Sequence, residues 1–69
     1  MTVVKVIEVI GESENSWDDA VKDAVQQAAK TVRNISGVEV YNLTGKVEDG
    51  QVIKYKANCK VAFAVDGTH

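Results

Sequence analysis

Neither of the usual staples of very small domains is available to this chain. Cys59 is its single cysteine, which excludes an intrachain disulfide, and its single histidine, His69, is the last residue, so no Cys/His set has zinc-ligand spacing. A basic excess is missing too. Eight Lys and Arg stand against ten Asp and Glu, for a formal charge of −2, whereas nucleic-acid binding requires a concentrated basic face. No long hydrophobic run occurs. The most apolar stretch, Val3 to Ile10, is interrupted by Lys5 and Glu8 and is too short for a membrane span or a secretory signal. A cytoplasmic protein with Cys59 as a free thiol is therefore expected, with no membrane and no nucleic-acid partner. The five glycines make no phosphate-cradling motif, and there is no internal repeat, low-complexity segment or linker.

What remains is one domain, residues 1–69, with a marginal core. Single cores of this size seldom supply more than about 3–5 kcal/mol. With disulfide and zinc excluded, association with further copies of itself is the stabiliser left.

The order of elements is legible. Val3 to Ile10 is β-branched and predicts a strand ending at Gly11. Valine or isoleucine falls at both parities, as in a strand covered on both faces. Glu12 to Asn15 reads as a polar loop. Ser16 then offers an N-cap, with Asp19 three positions on as a capping-box carboxylate. Trp17, Ala20, Val21, Ala24, Val25, Ala28, Val32 and Ile35 form one helical stripe, predicting a helix over 16–34 with acid early and base late. Ser36-Gly37 reads as its close, a place where glycine can take positive φ. Val38 to Val47 reads as a second strand and Asp49-Gly50 as a type I′ hairpin turn.

The last strand carries the most information. Ile53, Tyr55, Ala57, Cys59, Val61, Phe63 and Val65 occupy one parity; Lys54, Lys56, Asn58 and Lys60 occupy the other, before Ala62 and Ala64 turn that side apolar as well. From Gln51 to Val65 it spans roughly 50 Å at about 3.3 Å per residue. A compact globule of this length is only about 28 Å across. Part of the strand should project, and Val61 to Val65, apolar on both faces, is the end expected to need a partner chain. Inserting the third strand between the first two makes an α+β fold: β-α-β-β, an antiparallel three-stranded sheet of order 1-3-2 with one helix packed on it.

Little here suits catalysis, and no catalytic residue is assigned. Cys59 lies on the apolar strand face and reads as a core thiol without a base to activate it. Asp18-Asp19 and Glu48-Asp49 are ordinary capping and turn acids. Trp17 reads as a packing residue of the helix stripe, and the alternating lysines as a solvated or ion-paired strand face. Glu12, Glu14, Asp18 and Asp19 could hold a hard cation only if several copies brought their loops together.

Taken in order, Lys5-Val6-Ile7-Glu8-Val9-Ile10-Gly11, Ser16-Trp17-Asp18-Asp19-Ala20, Ala28 to Asn34, Glu39-Val40, Glu48-Asp49-Gly50-Gln51-Val52 and Lys60-Val61-Ala62-Phe63 resemble the dodecins from about residue 3 to 66. The resemblance implies a hollow homo-oligomer, a dodecamer, that binds or sequesters flavin (riboflavin, FMN or FAD). It also locates two departures. Typical dodecins carry a tryptophan just before the second strand, whose symmetry-related indoles sandwich the isoalloxazine rings; alignment on Glu39-Val40 puts Gly37 there. Trp17 matches a different family position and does not replace it. A third-strand glutamine that hydrogen-bonds the flavin aligns with Lys56. Gly37 and Lys56 are thus the expected ligand-site residues, altered in both places. The alternative implied by dodecin-like chains without the tryptophan is a flavin-free assembly, structural or holding calcium or another cation.

Overall fold

In the computed structural model, which describes residues 2–66, β1 (Thr2–Ser13) is followed by α1 (Trp17–Ala29), β2 (Ile35–Glu48) and β3 (Gln51–Asp66). The strands form one antiparallel sheet of order β1-β3-β2, with the helix across one face. The fold is the α+β arrangement expected. The strand parity also holds: Ala57 and Cys59 are fully buried beneath Ala20 and Ala24, with Val9 and Val21 packed beside them, and Val61 of the same parity is fully buried too.

Several boundaries differ from the sequence reading. β1 does not stop at Gly11 but runs through it to Ser13, paired residue for residue with β3. Gly11 is buried under α1, and a Cβ built there would lie 1.9 Å from the Ala20 carbonyl oxygen and 2.9 Å from the Ala24 Cβ. Its role is close approach, since no larger residue lets an alanine-faced helix lie so near a strand. The helix is shorter than 16–34. It closes at Lys30, whose N–H donates to the Gln27 and Ala28 carbonyls; the β-branched Thr31 and Val32 follow, and Asn34 turns the chain at φ 64°. Val32 and Ile35 therefore leave the stripe, no base falls in the last helical turn, and Ser36-Gly37 belongs to β2 with Gly37 outside the positive-φ region.

Ser16 caps as expected: its Oγ accepts from the Asp19 N–H at 3.0 Å. The reciprocal capping-box bond is replaced. The Ser16 N–H donates to Ser13 Oγ at 3.4 Å, and Asp19 accepts from Asn15 Nδ2. At the hairpin, Asp49 (φ 53°) and Gly50 (φ 76°) both take the left-handed conformation that a type I′ turn demands.

The molecule measures 56 × 19 × 13 Å, so the third strand does outrun a globule. The end expected to project does so only in part, with Val61 buried and Ala62 to Val65 half-buried, and the longer projection is at the other end. Val61 is buried under the helix, whereas β1 pairs with β3 only as far as Tyr55, leaving residues 46 to 54 as a two-stranded hairpin with Val47, Val52 and Ile53 exposed. The helix, about 20 Å long at 1.5 Å per residue, is too short to cover that tip.

Candidate functional site

Strand alternation divides the sheet into a face that α1 covers over β1 and β3, with Val38, Val40 and Leu43 of β2 left exposed, and an open face. On the open side β1 contributes Val4, Val6, Glu8, Ile10 and Glu12, and β3 contributes Lys56, Asn58, Lys60, Ala62 and Ala64. β2 adds Gly37 opposite Ala62, Glu39 opposite Lys60 and Thr44 opposite Lys56. Between Val40 and Asn42 the register shifts by one residue, and Tyr41 is the residue left over.

Gly37 floors a shallow concavity of about 230 Å³ lined by Val6, Gly37, Val38, Glu39, Lys60 and Ala62. Nothing lies within 4 Å of where its Cβ would be. The site is thus an apolar patch with one carboxylate and one ammonium at its rim. Lys60 has two carboxylates in cross-strand register, Glu8 and Glu39, yet forms an ion pair with neither among the described residues. Its Nζ sits 5.3 Å from the centroid of the Tyr41 ring, within cation–π range.

Lys56 shares this open face but not this place. It lies six residues along β3 from Ala62, the partner of Gly37, or roughly 20 Å at the rise of a strand. One chain does not bring the two expected site residues together. Lys56 is moreover engaged already: Glu12 reaches Lys54 Nζ at 3.4 Å and Lys56 Nζ at 3.9 Å, one carboxylate bridging two ammoniums.

Trp17 is where a packing residue should be. Its ring meets Tyr55 edge-on at 4.7 Å, and its Nε1–H donates to the Thr44 carbonyl oxygen at 2.9 Å, strapping the start of α1 to the base of the hairpin. Cys59 is a buried free thiol, and burial pushes its pKa above the ordinary 9.0. The acids around the helix entrance line a polar groove of about 290 Å³ that includes Glu12, Asp19, Lys22 and Asp23. They are largely committed to local bonds: Asp23 accepts from the Glu12 backbone N–H at 3.1 Å and from Gln27 at 3.3 Å. Among the described residues no group of three or more His, Cys, Asp or Glu is arranged to hold a metal ion. His69 lies outside the described residues. No described helix is long and apolar enough to cross a membrane.

The dodecin family model matches residues 3–66. The chain belongs to the dodecin family. It is 36% identical over 63 residues to the calcium dodecin of Mycobacterium tuberculosis, covering 91% of this chain and 89% of that one. It is 30% identical over 66 residues to the dodecin of Thermus thermophilus, covering 96% of each. Among crystal structures, a Thermus thermophilus protein superposes with a TM-score of 0.93 at 29% identity over 99% of this chain and all of that one. The calcium-chelating Mycobacterium tuberculosis dodecin, described with a novel calcium-binding site, superposes at 0.80 with 33% identity over 97% and 96%. Dodecins are ligand-binding proteins; they bind flavins, and one relative binds calcium.

Sequence reasoning missed three features of this site. Glu12 lies in β1 and not in the expected polar loop, and the two further strand residues put it opposite Lys56, in reach of Lys54 as well. Gly11 is a point of close approach to Ala20 and Ala24 and not the expected strand end. The contact between Tyr41 and Lys60 had no signal, because it depends on the register shift at Tyr41.

Proposed function

We propose that this dodecin is a cytoplasmic, non-catalytic homo-oligomer, a dodecamer, that binds and sequesters a small planar ligand of the flavin class between its copies. The observation that carries this reading is the concavity at Gly37, an apolar floor with open space where a ring would lie and in the position where typical dodecins present their indole. Gly37 forms the floor in one copy, and Lys56 reaches the ligand from another. Association is supported by the bare open face: Val4, Val6 and Ile10 are all more than half exposed in the single chain. Such large apolar side chains clustered on one sheet face are characteristic of an interaction surface.

The ligand is held more weakly than in a dodecin with stacking indoles. An aromatic face contributes about 0.5–1.5 kcal/mol beyond its buried area, roughly tenfold in affinity at the upper end. Gly37→Trp tests this directly, because the backbone there is not left-handed and the added side chain meets open space. With the oligomer first verified by light scattering, riboflavin fluorescence quenching should show binding at least about tenfold tighter for Gly37→Trp combined with Lys56→Gln than for the natural chain. Equal affinity would reject Gly37 and Lys56 as lost flavin contacts, and a stable folded monomer would reject the assembly.

A second reading draws on the 36% identity to a calcium dodecin. The acids of the helix-entrance groove, Glu12, Asp19 and Asp23, would take calcium or another hard cation only with oxygens from a further copy. Calorimetric titration with calcium of metal-stripped protein separates the two readings.

A further inference from the structure

The open face of β3 offers Lys54, Lys56 and Lys60 to a ligand that arrives with negative charge, and the structure treats the first two and the last differently. Lys56 is bridged by Glu12, together with Lys54. Lys60 has no ion-pair partner among the described residues, although Glu8 and Glu39 flank it in register, and its Nζ is held over the Tyr41 ring. Lys60 also lines the Gly37 concavity, and Lys56 does not.

We propose that Lys60 is the anion-recognising group of the Gly37 site, with Tyr41 as its positioning residue, so that the site selects a flat ring system bearing a carboxylate or phosphate over the same ring without one. The inference rests on the reading of that concavity as a ligand site. Its physical basis is the balance around Lys60. A ring quadrupole attracts an ammonium without neutralising it, whereas a carboxylate at ion-pair distance would cancel the charge that a ligand needs to meet. The register shift after Val40 supplies the means: it leaves Tyr41 as the extra residue of β2, beside the Glu39–Lys60 pair. Lys60 thereby keeps an unpaired charge at the rim of the apolar floor, with the Glu39 carboxylate at the same rim but outside ion-pair distance. Val6, Ala62 and the bare backbone of Gly37 suit the ring, and Lys60 suits the negative group.

Riboflavin and FMN share one ring system and differ in a phosphate, so they are the probes. Each is titrated by fluorescence quenching against the intact oligomer, at low and at high salt. The natural chain should bind FMN more tightly than riboflavin by about fivefold, the scale of a solvent-exposed charge pair, and the gap should shrink at high salt. Lys60→Gln should abolish the gap. Tyr41→Leu, which keeps bulk but loses the quadrupole, should narrow it, and Tyr41→Phe should preserve it. Lys56→Gln should alter the affinity for both probes alike and leave the gap intact. Equal binding of the two probes by the natural chain, or a gap that survives Lys60→Gln, would overturn the inference while leaving the flavin site standing. Failure of the natural chain to bind either probe would overturn both.

Discussion

The two faces of one sheet follow opposite rules. Beneath α1 the contact is made by the smallest side chains available: Gly11 and Ala57 face Ala20 and Ala24, and among the described residues nothing larger than Val61 is fully buried. On the open face Val4, Val6 and Ile10 stand exposed beside a row of charges. The difference separates two tasks. The covered face fixes a helix at short range, and small residues allow this because a buried atom gains most where packing is tight. The open face holds larger apolar groups in reserve for surfaces that one chain does not contain, and so does the β2 side of the helix face, where Val38, Val40 and Leu43 stay exposed beyond the reach of α1. The covered face is also unforgiving, since it has no space to yield, while the open face should tolerate change until copies come together.

The sharpest way to break that contrast is Gly11→Ala. A methyl at 1.9 Å from the Ala20 carbonyl oxygen and 2.7 Å from the Ala24 backbone nitrogen forces the helix off the sheet. The expected loss is about 3 kcal/mol or more, at the upper end of overpacking costs, read as a collapse of the thermal midpoint. Next is Trp17→Ala, which removes the edge-on contact with Tyr55 and the bond to Thr44. Trp17 is 38% exposed, so the expected cost is about 2 kcal/mol rather than the 3–5 of a fully buried aromatic, measured by chemical denaturation. Riboflavin affinity in the surviving oligomer should stay unchanged.

Val6→Thr probes the other face. Val6 is 56% exposed in the single chain, where the substitution would fall within about 0.5 kcal/mol. If copies cover it, the buried hydroxyl should cost about 1–2 kcal/mol and lower the midpoint in a way that depends on protein concentration. A midpoint independent of concentration and unaffected by the substitution would leave the open face without a partner. The smallest effect belongs to Cys59. Its folded pKa is raised by burial, so at high pH the unfolded chain loses the thiol proton first. Stability conferred by this group is complete below about 9 and declines as pH rises from there toward the higher folded value. Native protein should also react slowly with a thiol reagent at pH 8 and rapidly once unfolded.

Much of the architecture was determined by the sequence alone, because it is written in short-range patterns. Uninterrupted parity from Ile53 to Val65 specified the central strand and its buried side, Asp49-Gly50 specified the hairpin, and Ser16 specified where the helix begins. Each depends only on near neighbours along the chain: the two-residue period of a strand, the φ values of a turn, the free amides of a helix start. What needed the tertiary structure depends on distances between segments. The apolar spacing of the helix stripe continues through Val32 and Ile35, but the chain turns at Asn34 to enter β2. Gly37 and Lys56 are adjacent in a list of altered contacts and about 20 Å apart on the sheet. Which lysine is bridged by a carboxylate, and which is left over an aromatic ring, was settled by the pairing of β1 and β2 against β3, where a register shift of one residue decides what each side chain can reach.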